Sequence, residues 1–495
     1  MSSNAFPSSA MGLPNALKYD LPPSMSDSAR AYSVNVAPDG ITTVTAPNTF
    51  LAFTATSAVA QAAFTSQNVS FTIPSGMSDS VFMDTMNTTL SFSLVYTTTA
   101  TAAVVTGRAK LLSSAASFFD SLQLYSNNTP IETINQYGLL QHFLLQNTVS
   151  TSERNGGISI AMGADNNSAN GIDIPFTGAS TTYKLNFCIP LISVIGLSTD
   201  KFFPIGSVNN LQLVMTTAAL CPIVTGDCSA FTTSPTFSSV ALSDFRLNMK
   251  YIDVGDSAAA MLRQTLQDGK WFIKSSTYTN SAVTIGNGSS GAQQVLLQIR
   301  NSSVKSVYHQ FGIGISAVSP NGAYDAINIG TNLRQLQVGG SFYPNYPIND
   351  NQRPAEGYCY LIQSLGGSIP KTFGTVVDRF MYSSVGGIAS VAAGSENCLV
   401  IPTVASSVVV RVPPTGAVPT TSVSVLDYPS GAFYGYDLEK SSGILFQGVN
   451  TRASPPFLNL NLGSTLTSAV TCQAWGYSDV VLVIDYESKQ CTAFI

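Results

Sequence analysis

Polar and apolar residues alternate with a period of two along most of the chain beyond residue 48, the pattern of strands with one buried face. Leu90, Phe92, Leu94 and Tyr96 alternate with Ser91, Ser93 and Val95. Leu211, Leu213 and Met215 alternate with Gln212 and Val214. In FRLNMKY, Phe245, Leu247, Met249 and Tyr251 fall on one side, and Arg246, Asn248 and Lys250 on the other. The period returns at Leu297 and Ile299, at Leu336 and Val338, and at Leu458, Leu460 and Leu462. Gly, Pro, Asn and Ser separate these runs, as turns require. The apolar run Val480 to Ile484 reads as a strand buried on both faces.

Two stretches carry a helical period instead. In DSAAAMLRQTLQDG (256–269), Asp256 or Ser257 can cap a helix, Ala258, Met261, Leu262 and Leu266 form one stripe, and Gly269 can end it. From Thr133 to Leu145, Ile134, Tyr137, Leu140, Leu144 and Leu145 also fall at helical spacing. Residues 1–47 are rich in Ser, Pro, Ala and Asn without sustained periodicity. They read as an extended N-terminal arm, dispensable for folding of the protomer and used in assembly.

The chain thus divides into an arm at 1–47, a β-rich segment at 48–255, a helical linker at 256–270 and a second β-rich segment at 271–495. Many short strands, a double-sheet core and long excursions predict an all-β fold. The expectation is two consecutive eight-stranded jelly-roll β-sandwiches joined by a short helical linker, with long loops and minor helices. No residue-level repeat relates the halves; they are alike in size and pattern.

Composition changes the picture in one respect. Only 10% of residues are charged, 22 Lys and Arg against 27 Asp and Glu, for a formal net charge of −5. A solitary soluble protein usually carries about 25–35% charged residues on its surface. This chain presents Ser, Thr, Asn and Gln instead, which suits a subunit whose flanks are covered by copies of itself. The longest apolar stretch, Leu185 to Leu197, is broken by Asn186, Pro190 and Ser193 and falls short of the roughly 18 residues of a spanning helix. The N-terminus lacks a basic start and an apolar core, so no secretory signal is expected.

Seven cysteines, Cys188, Cys221, Cys228, Cys359, Cys398, Cys472 and Cys491, are odd in number and form no CxxC. Free thiols in a reducing compartment are expected. Triplets of the N-x-S/T type begin at Asn68, Asn87, Asn127, Asn166, Asn287 and Asn301, close to chance in so Ser/Thr-rich a chain. The acidic balance and the lack of Lys/Arg clusters speak against sequence-specific nucleic-acid binding.

Candidate chemistry is thin. The two histidines, His142 and His309, lie in different halves, no G-x-S-x-G elbow is present, and packing roles are expected for both. Gly286 to Gly291 matches G-x-G-x-x-G, but the alternating AQQVLLQIR follows it where a dinucleotide fold needs a helix, so a loop between antiparallel strands is expected. GGSIPKT at 366–372 has Pro370 where a phosphate loop needs Gly. The oxygen-rich Asp165 to Asp173 has Ala169 and Asn170 at positions where the calcium loop needs other residues, and reads as an exposed turn. The pairs Asp437 with Glu439 and Asp485 with Glu487 are the i,i+2 carboxylates common on strands, although such pairs can serve a glycosidase. No catalytic, cofactor-binding or metal residue is expected, and the protein is not expected to be an enzyme.

Several segments share one further resemblance. FRLNMKYIDV, a short helix and then WFIKSSTY resemble the passage between jelly rolls in double jelly-roll major capsid proteins of icosahedral DNA viruses, of the virophage, Polinton-like and nucleocytoplasmic large DNA virus types. LRQLQVGGSFYPNYPI (333–348), YGYDLEKSSGILFQGVNTRASPPFLNLNL (434–462), DVVLVIDYE (479–487) and YKLNFCIPLISVIGLSTDKFFPIGSVNNLQLVMTT (183–217) resemble segments of the same family. The resemblance covers roughly residues 48–495. It implies a structural major capsid protein whose homotrimers form pseudo-hexagonal capsomers tiling an icosahedral shell. It also implies the virion as location, synthesis in the host cytoplasm or nucleus, and vertex (penton) and minor capsid proteins as further partners. Contact with an internal membrane is left open by it. The alternatives are a single jelly-roll capsid protein with a β-rich projection, and a β-rich fibre or adhesin.

Overall fold

A computed structural model of the chain describes residues 29–45, 50–51, 66–98, 108–164, 170–174, 180–197, 202–219, 221–226, 236–264, 266, 268–312, 324, 326–366, 382, 400–403, 406–409, 431–439, 447–466 and 468–495. The first half holds two principal sheets. One runs β1 (Arg30–Val36), β13 (Thr236–Asp253), β5 (Val81–Thr98), β10 (Thr182–Pro190), with β2 (Val44–Thr45) and β3 (Phe50–Leu51) also on β13. The other runs β4 (Asn68–Ile73), β11 (Leu211–Thr217), β7 (Phe119–Ser126), β8 (Thr129–Asn135). A small third sheet joins β12 (Ile223–Gly226), β6 (Arg108–Leu112) and β9 (Asn170–Ile174).

The second half repeats the plan. β14 (Lys270–Ile285), β23 (Val470–Asp485), β16 (Val304–Gly312) and β21 (Phe433–Asp437) form one sheet, and β24 (Gln490–Phe494) adds to β23. β15 (Gly291–Leu296), β22 (Phe457–Leu462), β17 (Thr331–Val338) and β18 (Ser341–Ile348) form the other. A hairpin pairs β19 (Val400–Thr403) with β20 (Ser406–Val409). If the eight principal strands of each half are counted in chain order, both halves read 1-8-3-6 in one sheet and 2-7-4-5 in the other. That order is two interleaved Greek keys, the jelly roll, occurring twice. Two complete jelly rolls exclude the alternative of one jelly roll with a projection.

The alternating runs become the strands facing each core. Leu90, Phe92, Leu94 and Tyr96 of β5 turn inward, and Phe92 meets Phe119 at 5.3 Å and Phe245 at 5.9 Å between ring centroids. Such ring pairs add about 0.5–1.5 kcal/mol each beyond the area they bury. In the second half, β14 and β23 pair without interruption from Lys270↔Asp485 to Ile285↔Val470. The linker helix spans Asp256–Gln264 and buries Ala258, Ala259 and Leu262.

Three elements depart from the sequence reading. Residues 30–36, read by composition as arm, are strand 1 of the first jelly roll. RAYSVNV pairs antiparallel with β13 from Arg30↔Asp253 to Val36↔Leu247. Its alternation was masked because, as an edge strand, it is exposed over much of both faces. Residues 1–28 and 46–47 of the arm lie outside the described residues. The helix expected from Thr133 begins only at Tyr137 and runs to Thr148, because Thr129–Asn135 is strand 5 and Gln136 turns the chain through a left-handed φ of 54°. A helix at Pro354–Ser364, with Pro at its first turn, follows strand 5 of the second half in the same topological place.

The status of β1 carries a consequence. A chain beginning after residue 47 is expected to melt at a clearly lower temperature than one beginning at residue 29, since β13 loses its pairing with β1 and β2, the buried Val44 is removed, and Val34 and Val36 leave the core margin. Calorimetry on the two truncations checks this; equal melting temperatures would return residues 30–47 to the role of a dispensable arm.

Candidate functional site: the seam between the halves

The candidate catalytic groups do not converge. His142, on the Tyr137–Thr148 helix, is buried, shares a 2.7 Å hydrogen bond between Nδ1 and Ser113 Oγ, and sits edge-on to Tyr324. Burial, with the Arg154 charge nearby, pushes its pKa down to about 3, so the ring is neutral. His309, on β16, is stacked against Tyr434 and Tyr436, and neither ring nitrogen has a hydrogen-bond partner among the described residues. Burial, and then Arg334, hold its pKa well below the usual value. A neutral imidazole buried among aromatic rings is poorly placed to relay protons.

The acid pairs close turns. Asp437 Oδ1 accepts from the Glu439 N–H at 2.9 Å, and Asp485 Oδ1 accepts from Glu487 and Ser488 N–H at 3.0 and 2.9 Å. Gly286 to Gly291 bridges the end of β14 and the start of β15. Of the oxygen-rich segment, Asn170 to Asp173 belong to β9; residues 165–169 lie outside the described residues, as do 367–372 of GGSIPKT. Among the described residues no group of three or more His, Cys, Asp or Glu could hold a metal ion, and no helix is long and apolar enough to cross a membrane. Cys188, Cys221, Cys359, Cys472 and Cys491 are free thiols; Cys228 and Cys398 lie outside the described residues.

Buried polar and aromatic groups instead join the two jelly rolls to each other. The Tyr137–Thr148 helix of the first half lies on the sheet of the second that contains β16, β21 and β23. Phe143 meets Tyr308 at 5.1 Å, Phe433 at 5.3 Å and Trp475 at 5.8 Å. Gly138 permits the approach: a Cβ there would stand 2.8 Å from Ala116 O and 3.0 Å from the Tyr324 hydroxyl. Beside the helix, Phe82 of β5 packs edge-on against Trp271 of β14 at 5.9 Å.

Glu132, on β8, is the polar centre of the seam. Its Oε2 accepts from Ser193 Oγ at 2.5 Å and Val194 N–H at 2.9 Å, while its Oε1 accepts from Thr277 Oγ1 of the second half. Ser275 Oγ of β14 donates to Val194 O at 2.7 Å. Burial raises the Glu132 pKa to about 7, although the hydrogen bonds from Ser193, Thr277 and Val194 each act to lower it.

At one end of the molecule Asp79 ties three segments. It accepts from Arg263 of the linker helix at 2.8 Å and Tyr486 Oη at 2.7 Å, with Lys489 Nζ at 3.4 Å. The Lys489 carbonyl accepts from Asn209 N–H at 2.9 Å. The halves are therefore joined by a packed helix, a buried carboxylate and an ion-pair cluster, as well as by the linker. Sequence reasoning missed all three, because Glu132 and Asp79 look like ordinary surface acids until the partner half is present.

No protein-family model matches the chain, and no curated protein matches it in sequence. Solved structures do. PBCV-1 VP54, a crystal structure fitted into a cryo-EM reconstruction of the virophage Sputnik, superposes with a TM-score of 0.50 at 11% identity, over 94% of this chain and 97% of that one. A chain of the PBCV-1 virus capsid gives 0.50 at 12% identity over the same shares. A chain of the Sputnik virophage cryo-EM structure gives 0.51 at 11% identity, over 94% of this chain and 88% of its own. These structures are double jelly-roll major capsid proteins, and the fold described above is theirs.

Proposed function

We propose that this chain is a structural major capsid protein whose homotrimers form pseudo-hexagonal capsomers that tile an icosahedral shell, and that it acts in the virion without catalysing a reaction. One observation carries the reading: the chain holds two jelly rolls of identical strand order, fixed side by side by a buried seam. Three such chains around a threefold axis present six similar blocks, a shape that can cover a flat facet. The similarity to viral capsid structures over 94% of the chain supports the same reading. So does a chain with 10% charged residues, whose flanks suit burial against copies. Vertex and minor capsid proteins are the further partners this role requires.

The purified protein is expected to elute as a particle of three times 52.1 kDa by light scattering coupled to size exclusion, and to resist dilution. Obligate contacts of this kind usually bury about 2,000 Å² or more each. Hexagonal blocks built of six jelly rolls should appear in negative-stain images. A stable monomer at micromolar concentration, with no tendency to assemble, would sink the proposal.

A further inference from the structure

Asp479, on β23, is wholly buried in the second jelly roll, between lysines carried by the two neighbouring strands. Lys305 Nζ of β16 stands 3.5 Å from its Oδ1, and Lys274 Nζ of β14 stands 3.7 Å from the same atom. Charge-assisted N–H···O bonds normally close to about 2.7–2.9 Å. Neither ammonium does so, and no hydrogen bond reaches Oδ1 among the described residues. Oδ2 is held differently. It accepts from Ser303 Oγ at 2.8 Å and from the Gln447 backbone N–H at 2.9 Å.

The local sequence builds this arrangement. The ladder between β16 and β23 shifts register between Val304 and Ser306, so Lys305 is one residue extra on its strand. Bulges of this kind re-aim a side chain. Lys305 Nζ donates to Ser276 Oγ at 3.1 Å and lies 4.1 Å over the Tyr477 ring, and the side chain is only 12% exposed. Gly448 lets the backbone that carries Gln447 close on β16, since a Cβ there would stand 2.2 Å from Val304 O. The Gly448 N–H donates to Ser303 Oγ at 2.9 Å, which leaves that hydroxyl's own proton for Asp479.

We propose that Lys305 Nζ and Asp479 Cγ condense to an amide, a covalent rung between β16 and β23 that the folded chain forms by itself. An amine, a carboxyl carbon, two donors on one carboxyl oxygen and a cation beside the other are the parts that acyl transfer uses. A proton passes from the Lys305 ammonium to Oδ1, and burial assists by withholding the water that keeps both groups charged. The neutral amine adds to Cγ, and negative charge gathers on Oδ2 between Ser303 Oγ and the Gln447 N–H. The added nitrogen gives a second proton to Oδ1. The Cγ–Oδ1 bond breaks, water departs and the C=O bond re-forms at Oδ2. Lys274 stays charged beside Oδ1 and favours its departure. One ammonium and one carboxylate become one amide and one water, with nothing oxidised or reduced. The event occurs once per chain, turns over no substrate and does not depend on the capsid reading.

The test is the intact mass of the purified full chain, followed by peptide mapping. The mass is expected to fall short of the sequence mass by one water, with a branched peptide joining Lys305 to Asp479. Lys305→Arg keeps the positive charge, cannot condense and should restore the full sequence mass. Ser303→Ala removes one donor from Oδ2, and losing such a donor costs about 100-fold or more in rate. Protein of that variant harvested soon after synthesis should be largely unbranched. The full sequence mass in wild-type protein that has been kept folded for days overturns the proposal. So does a loss of water without the branched peptide, as a succinimide at Asp39-Gly40 or Asp268-Gly269 would give. A branch at Lys274 overturns the assignment of Lys305 as the nucleophile. The wild-type measurement decides by itself, whether or not either variant folds.

Discussion

Asp350→Ala is expected to lower the melting temperature of the protein by about 10 °C. Arg334 of β17 is fully buried between the sheets of the second jelly roll. Its Nε donates to Asp350 Oδ2 at 2.7 Å and its Nη2 to Oδ1 at 3.0 Å, a two-pronged pair. Nη1 donates to Tyr436 Oη at 2.8 Å, and the guanidinium lies 4.0 Å above the Tyr434 ring. Thr331 Oγ1 also donates to Asp350. Removing the carboxylate strands an unneutralised cation in the core, which costs about 3–5 kcal/mol. For a domain of this size each kcal/mol is worth about 2–4 °C.

The double replacement Arg334→Met with Asp350→Leu should recover much of the loss, because a buried pair adds little net stability over apolar groups of similar volume. Calorimetry on both variants separates the two effects. If Asp350→Ala melts with the wild type, the pair is not the buried anchor described here. The anchor also fixes its surroundings. Asp350 follows β18 directly, and Gly357 of the next helix fits against the pair, where a Cβ would stand 2.9 Å from Arg334 Nη2.

How much of this was legible follows from where each signal comes from. Strands with one face in a core declare themselves: the alternations at 90–96, 245–251 and 458–462 became β5, β13 and β22. The linker helix was legible through its cap and its Ala258–Leu262 stripe. β1 was not, because an edge strand exposed on both faces has little reason to alternate. The helix read from Thr133 takes in the last three residues of the Thr129–Asn135 strand, because Ile134, Tyr137 and Leu140 are all buried and their spacing spans the junction of two elements; only the left-handed Gln136 separates them. The Pro354–Ser364 helix had a legible start in Pro354 and Glu356, yet Gly357 and two tyrosines weaken its propensity. The segment 333–348 stood out as a resemblance, but the burial of Arg334 did not, since it depends on Asp350 and on tyrosines a hundred residues away. The seam was the least legible feature. Its residues are polar or aromatic at positions whose burial depends in part on the other half.

Glu132 should make that seam pH-sensitive in a direction opposite to the histidines. Its pKa stands at about 7 in the folded protein against an ordinary 4.5, because burial outweighs three hydrogen bonds. Between those values the folded state holds a proton that the unfolded state has released. The stabilisation from protonated Glu132 is therefore full below about pH 4.5 and is lost as pH rises through about 7. The difference corresponds to about 3 kcal/mol. His142 acts with the other sign. Its folded pKa of about 3 lies below the ordinary 6.5, so its contribution is present above pH 6.5 and is lost as pH falls towards 3. His309 is shifted in the same direction as His142. The wild-type profile mixes these opposing slopes, so the decisive measurement is a comparison. Glu132→Gln keeps the shape, lets the amide donate to Thr277 and its oxygen accept from Ser193 and Val194, and cannot ionise. Its melting temperature relative to wild type should rise steadily from pH 4.5 to pH 7 and level off above, while the histidine terms cancel in the difference. A difference that stays flat across that range would mean that Glu132 is ionised throughout, and that its three donors outweigh its burial after all.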